Sequence, residues 1–420
     1  MADFVTLPQA RIPVVARPDV LVVGGGSAGI AAATAAARAG ADTILLERFS
    51  YTGGLATGGM IILLLTLDDG AGNQVVAGLC QEIVERMERR DGAWYPPPDQ
   101  WNDADPQLVE HCRRWGLVWG SGPHCVRYSV AFDPYAFIFS ADEILNEAGV
   151  RVLYQTLACE PIVEDNQIEA LVIQNKSGRQ AIAPRVVIDA TGDGDVFAAA
   201  GEPFELERVH PWLWFKMGGI ENIEGALASG RGLLFRSTTN GEVLVPWGGE
   251  GRVREKIDAT NPDEVTEALA ECRRMVDEEA SRLRASVPGF EEARISLMAD
   301  QLGITESRRL QGAYVMTRED LDRSFEDTIA RTGHWTKYDC VYNIPYRALL
   351  PIGVTNLLAA GRCISVDHRV HHATKEIPAC MATGQAAGIA AAMAAELRDA
   401  HNVDVIALQR HLRDAGAILQ

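Results

Sequence analysis

The segment that most constrains this chain starts at Asp19. Asp19 to Val23 reads DVLVV, a short β-branched run that ends at Gly24-Gly25-Gly26-Ser27-Ala28-Gly29. An alanine-rich helical pattern follows to Ala41, then a second apolar run, Thr43-Ile44-Leu45-Leu46, closed by Glu47. Strand, glycine turn, helix, strand and acid, in that order, are the parts of a dinucleotide-binding βαβ unit. Each position has its own reason. Gly24 makes the tight turn, Gly26 lets backbone approach a pyrophosphate, and Gly29 lets the helix lie close on the strand. Ser27 and Ala28 open the helix, whose unpaired N–H groups and positive dipole end suit phosphate. Glu47 stands 18 residues after Gly29 and is placed to accept hydrogen bonds from a ribose. Ala33 and Gly40 keep the helix small where it meets the sheet.

A second glycine-rich loop follows at once: Arg48, then Gly53-Gly54-Leu55-Ala56-Thr57-Gly58-Gly59. A nicotinamide domain has little use for it, whereas an extended flavin dinucleotide needs close backbone approach there. Two distant segments repeat the strand-into-glycine theme. Arg185-Val186-Val187-Ile188-Asp189 runs into Ala190-Thr191-Gly192-Asp193-Gly194-Asp195, and Leu357-Leu358-Ala359-Ala360 runs into Gly361-Arg362 before a second alanine-rich helix around Ala382 to Gly388. Asp193 and Asp195 share the Asp-x-Asp spacing of calcium loops, but the rest of that pattern is missing. No metal site is expected there.

Composition narrows the class. Acids outnumber bases 57 to 39, a net charge of −18, and no Lys/Arg run offers the basic surface that a nucleic-acid backbone requires. The eight cysteines are scattered without a C-x-x-C pair, which argues against zinc, iron–sulfur and dithiol redox centres and for free thiols in a reducing, cytoplasmic compartment. Met1 to Arg17 lacks the pattern of a secretion signal. The most apolar stretch is taken as Met60 to Leu67, eight residues against the ~20 that span a bilayer, so no membrane span is expected.

With three ordered segments on the page, the chain resembles the FAD-dependent oxidoreductases of the glutathione-reductase structural class, related to the fumarate-reductase and tRNA-modifying flavoprotein groups. Gly303 to Gly312 (GITESRRLQG), Ile344 to Pro351 (IPYRALLP) and Ile377 to Met381 (IPACM) extend the resemblance over about residues 17–396. It implies FAD as cofactor, held by Gly24, Gly26, Ser27, Ala28, Gly29, Glu47, Arg48, Gly53, Gly54, Ala56, Thr57, Ala158, Ala190, Thr191, Gly192, Gly361, Arg362, Glu376 and Ile377. The last helix is implied to point its N-terminus at the flavin's pyrimidine edge. Two departures stand out. Thr305 and Lys375 occupy positions where relatives often carry Arg, and neither presents Arg's fork to a carboxylate. No second G-x-G-x-x-G follows a strand, and Gly248-Gly249-Glu250-Gly251 has no helix pattern after it, so a separate nicotinamide domain is not expected. Ala360-Gly361-Arg362-Cys363 also differs from the Gly-Asp segment of aromatic hydroxylases, which disfavours hydroxylation.

The expected fold is α/β: a discontinuous Rossmann-like FAD-binding domain (17–75, 132–204, 345–396), an interleaved α+β substrate or cap domain (76–131, 205–344) and a C-terminal surface helix (397–420). Catalytic candidates are His368, His371 and His372, read as a loop between Gly361 and the last helix, together with Arg308 and Tyr346. Histidine titrates near working pH and suits a general base, while a solvated loop and a His368/His372 metal pair are the alternatives. Arg308, Arg309 and Tyr314 form a second cluster. His210 to Phe215 reads as core, and the acid-rich stretch Pro262 to Arg284 as solvated helix faces. The expected function is a FAD-dependent dehydrogenase acting on a small organic substrate by hydride transfer to flavin N5, with oxygen, a quinone or a protein as acceptor. A reductase using diffusible NAD(P)H, an RNA-modification flavoprotein and a non-catalytic nucleotide-binding module are the rival readings. A homo-oligomer is compatible with all of them.

Overall fold

The computed structural model describes residues 11–248, 253 and 255–420. Met1–Ala10 and Gly249, Glu250 and Gly251, which entered the sequence argument, lie outside them.

The apolar run Val20–Val23 has both faces buried, and it sits in the middle of a five-stranded sheet. The strand order is Leu357–Ala359, Val186–Asp189, Val20–Val23, Thr43–Leu46, Arg151–Leu153, and every pair is parallel. Parallel strands need both faces covered, and four of the five are buried along their whole length. One sheet is thus assembled from three stretches far apart in sequence, and the glycine turns after Val23, Asp189 and Ala359 leave it at the same carboxyl edge.

Two alanine-rich helices, Ser27–Arg38 and Ile377–Ala394, pack on each other beside this sheet. Their contact is backbone-close. A Cβ added at Gly384 would lie 2.2 Å from the Ala28 carbonyl oxygen, and one at Gly388 equally close to that of Ala32. Ile377–Ala394 also corrects the sequence reading of apolar runs. This helix, and not Met60–Leu67, is the one described helix long and apolar enough to cross a membrane, with a mean hydropathy of 1.3; 83% of it is buried inside the fold. Its small residues hide the run from the eye, because alanine and glycine are only mildly apolar one at a time.

The remaining sheets are antiparallel. Leu157–Glu164, Gln167–Asn175 and Gly178–Ile182 form a meander, extended at its edge by the short strand Val14–Ala16 in parallel. Phe235–Arg236, Glu242–Val245, Phe215–Gly218 and Arg294–Met298 form a second sheet. Thr328–Gly333 and Val341–Pro345 pair as a ribbon, as do Phe204–Leu206 and Arg308–Leu310. The acid-rich stretch is one helix of 25 residues, Pro262–Ser286, capped by the Asn261 side chain. Its outer face is solvated as expected, but Ala268, Cys272, Val276, Ala280 and Leu283 are buried. Trp214 and Phe215 are buried, in keeping with a core role for that aromatic stretch. Near the C-terminus, Val405–Asp414 is a helix that buries Leu408 and Leu412.

Candidate functional site

At the carboxyl edge of the parallel sheet lies a cavity of about 480 Å³. Its floor is the first glycine turn. Gly24 has φ +98°, and an added Cβ would stand 2.6 Å from the Ala190 carbonyl oxygen, so only glycine fits this crossing of two strand ends. Gly29 is tighter still, with 1.8 Å between an added Cβ and the Gly24 carbonyl oxygen. Gly26 differs: it lines the cavity, and an added Cβ there would meet nothing within 4 Å. Close packing on two sides of the turn and open space at the third is the shape a pyrophosphate requires.

Glu47 ends the second strand buried, and its carboxylate accepts from the Gly25 N–H at 2.8 Å and the Phe49 N–H at 2.7 Å. Burial raises its carboxyl above the ordinary range, while those two donors pull the other way. Arg48 lies 4.9 Å over the Phe49 ring, which stacks on Tyr51. The second glycine loop is stitched to the first by Gly53 N–H donating to Gly25 carbonyl at 2.8 Å.

The second segment is organised by a buried carboxylate. Asp189 accepts from the Thr191 N–H (3.1 Å) and hydroxyl (2.7 Å) and from the N–H groups of Val196 (2.9 Å) and Phe197 (3.0 Å). Burial pushes this carboxyl up to about 6, and the four donors hold it as the carboxylate at neutral pH. The third segment reaches back through Arg362. Its Nε donates to the Gly192 carbonyl at 2.9 Å, its Nη2 to Asp193 Oδ1 at 2.6 Å, and its Nη1 to the Ile304 carbonyl. One guanidinium therefore ties the second and third segments to each other and to the Ile304 backbone. Asp193 is committed to Arg362, and Asp195 Oδ1 to Arg308 at 2.9 Å. The helix Ile377–Ala394 begins at the cavity wall. Lys375, Ile377 and Cys380 all line the cavity. Among the described residues Lys375 makes no ion pair. Burial pushes the Cys380 thiol up to about 12 and the Glu376 carboxyl up to about 7, the latter against the pull of Lys375.

The family model described as FAD dependent oxidoreductase matches residues 19–412. The chain belongs to that family. Its cofactor is FAD and its chemistry is oxidation–reduction. No curated protein matches the chain. Among solved structures, p-nitrophenol 4-monooxygenase from Pseudomonas putida DLL-E4 is similar at a TM-score of 0.50 with 14% identity, over 94% of this chain and 83% of that one. L-amino acid deaminase from Proteus myxofaciens gives 0.47 and 13%, over 94% and 93%. A geranylgeranyl bacteriochlorophyll reductase-like protein from Thermoplasma acidophilum gives 0.47 and 14%, over 96% and 82%. At such identities the likeness is one of fold.

For a FAD dependent oxidoreductase the cavity's lining is the natural check on the sequence reading. Gly24, Gly26, Ser27, Ala28, Glu47, Arg48, Gly53, Gly54, Ala56, Ala158, Ala190, Thr191, Gly192, Arg362 and Ile377 all line it. Four of the expected contacts do not. Gly29 and Gly361 are packing positions, an added Cβ at Gly361 falling 2.6 Å from that of Ala28. Thr57 turns its hydroxyl back to the Thr52 carbonyl at 2.7 Å. Glu376 stands between two lining residues without lining the cavity itself.

None of the five catalytic candidates lines the cavity. The segment read as a loop is a helix, His368–Thr374, because Asp367 caps it by accepting from the Arg369 and Val370 N–H groups. His371 is buried, with Nε2 3.0 Å from the Arg362 carbonyl; burial holds it well below the usual histidine range, so it is neutral. His368 is exposed, with Nδ1 2.9 Å from Glu306 Oε1. His372 is exposed beside it, and desolvation by its neighbours plus the Lys375 charge hold it down to about 4. Arg308 is engaged by Asp195 and the Asp193 carbonyl. Tyr346 is withdrawn from the site altogether, since its buried hydroxyl donates to the Ala400 carbonyl at 2.8 Å. Arg309 and Tyr314 are likewise engaged, with Glu306 and Glu205 and with Asp320 respectively.

Residues missed from sequence include Val265 and Leu269 on the long helix, and Asp300, Gln301, Leu302 and Ile304, which close the cavity. Gln301 is pinned by donating to the Tyr51 hydroxyl at 3.0 Å, and its N–H donates to the Gly58 carbonyl at 3.0 Å. The available signal was the apolar pair Val265/Leu269, one turn apart on the helix.

Proposed function

We propose that this flavoprotein is a dehydrogenase that oxidises a small organic substrate by hydride transfer to flavin N5, with oxygen, a quinone or a protein as the final acceptor. The observation that carries this reading is the pairing of Lys375, which makes no ion pair among the described residues, with the N-terminus of the helix Ile377–Ala394 at one wall of the cofactor cavity. A positive wall of that kind favours a ligand that gains negative charge. Bound flavin supplies the hydride acceptor. The chain does the rest: Glu47 would accept from the ribose hydroxyls, the N–H groups at the Ser27 end of the first helix would hold the pyrophosphate, and Arg362 holds the wall in place.

The substrate is a small molecule, and nucleic acid is disfavoured by the charge of −18. All eight cysteines are free, in keeping with a reducing, cytoplasmic setting.

The test is anaerobic. Small acids, amines and alcohols are screened for bleaching of the flavin's visible band, with NADH and NADPH as comparators. One or more organic substrates should bleach it, and Lys375→Gln should slow that bleaching by about 100-fold, the lower range for losing one group that stabilises developing charge, at unchanged flavin content. Bleaching by a nicotinamide alone would replace this reading with the reductase.

A further inference from the structure

The ribbon of Phe204–Leu206 and Arg308–Leu310 sets Leu206 opposite Arg308, and the Glu207 N–H donates to the Ser307 carbonyl at 3.1 Å. That register brings the side chains of Glu207 and Glu306 together at the end of the ribbon. His368, the first residue of its helix, reaches both: Nδ1 is 2.9 Å from Glu306 Oε1 and 3.9 Å from Glu207 Oε2. The three ligand atoms all lie within 4.8 Å of one another.

A second observation comes from behind this trio. His371 is 1% exposed, and its Nε2 faces the Arg362 carbonyl at 3.0 Å. A carbonyl only accepts, so Nε2 carries the hydrogen and Nδ1 a lone pair. Among the described residues that Nδ1 has no hydrogen-bond partner, and it stands 3.6 Å from Glu306 Oε1. Two acceptors therefore face each other with no hydrogen between them, an arrangement that a nearby cation relieves.

The local charge points the same way. Glu205, Glu207 and Glu306 supply three carboxylates. Arg309 donates to Glu306 and, at 2.9 Å, to Glu205, while the exposed Lys256 ammonium stands 4.0 Å from Glu207. Arg309 orients Glu306, as an outer partner does for a ligating carboxylate.

We propose that Glu207, Glu306 and His368 form a binding site for a divalent transition-metal ion of the zinc or manganese class. Two carboxylates and one imidazole suit such ions and leave further positions for water. Glu207 and His368 are partly exposed and free to close on the ion, while Glu306 is held by its neighbours. The ion clasps the ribbon end of the interleaved stretch to the helix that carries Lys375 to the cofactor cavity. This site is independent of which substrate the enzyme oxidises.

The experiment uses the FAD-loaded protein, stripped with a chelator and titrated calorimetrically with ZnCl₂ and separately with MnCl₂. One ion per chain is expected for at least one metal, with a rise in Tm on binding. Glu207→Gln and His368→Ala should each weaken binding by at least about tenfold, the loss that even an outer partner brings, and should abolish the metal-dependent rise in Tm. Both positions are partly open to solvent, and an unchanged metal-free Tm in the variants separates lost ligation from lost folding. Absence of stoichiometric binding of either ion to the unsubstituted protein would overturn the proposal. So would binding that survives both substitutions.

Discussion

Gly26 and Gly29 stand three residues apart and should respond to a side chain in opposite ways. At Gly26 a Cβ meets no protein atom within 4 Å, so Gly26→Val should fold with a Tm near that of the apoprotein yet purify without flavin. At Gly29 the same atom lands on the Gly24 carbonyl oxygen at 1.8 Å. Gly29→Ala should therefore lower stability by roughly 3 kcal/mol or more, the range of strained packing changes, seen as a fall in Tm with or without FAD. Asp189 offers a third check at this scale. Its carboxylate satisfies four donors inside the fold, and Asp189→Asn turns an amide N–H₂ toward N–H groups. Unsatisfied buried donors cost about 1–3 kcal/mol, measurable by urea denaturation. The glycines were legible because each answers to its immediate backbone. The role of Asp189 was not, since its partners Val196 and Phe197 become neighbours only when the Thr191–Asp195 turn closes.

The helix Ile377–Ala394 shows what the next scale adds. Its alanine-rich pattern and its pairing with the Gly361 strand end were readable. Its closeness to Ser27–Arg38 was not, because Gly384 and Gly388 reveal their purpose only against Ala28 and Ala32. Gly388→Leu should force the two helices apart, lowering Tm and loosening the first glycine turn so that FAD affinity falls as well. The start of this helix carries a pH dependence. Glu376 is lifted to about 7 by burial from an unfolded value near 4.5. The folded protein thus holds this proton more tightly than the unfolded chain, and the contribution is full below about pH 4.5 and lost as pH rises through 7. Tm should fall between pH 5.5 and 8 more steeply in the unsubstituted protein than in Glu376→Gln. The helix His368–Thr374 carries a different lesson: its N-cap, Asp367, was present in the sequence but lay inside a histidine-rich stretch read as a loop. Side chain-to-backbone capping won over composition.

Across the whole molecule, the cofactor cavity is a joint product of segments that meet only in the fold. Arg362 joins Gly192, Asp193 and Ile304, and Val265 and Leu269 bring the long helix over the same cavity. FAD should act as a clamp between that helix and the parallel sheet. A ligand that binds only the folded state stabilises it by about 2.7 kcal/mol at 100 times its Kd. Saturating FAD should therefore protect the 262–286 helix from limited proteolysis, and Val265→Asp/Leu269→Asp should lose that protection while the apoprotein remains folded. The sequence by itself determined the α/β class, the three glycine-bearing strand ends and the flavin dinucleotide, because turns, helix starts and parallel strands answer to steric rules acting over a few residues. Ser27, Glu47, Arg48, Thr191 and Arg362 were readable too, and only the tertiary structure decided which other polar side chains face the cavity. It withdrew Tyr346 and Arg308 and brought in Lys375, Asp300 and Gln301. The partners that decide this for Tyr346 and Arg308 lie far away in sequence, and no local pattern encodes which of them a side chain meets.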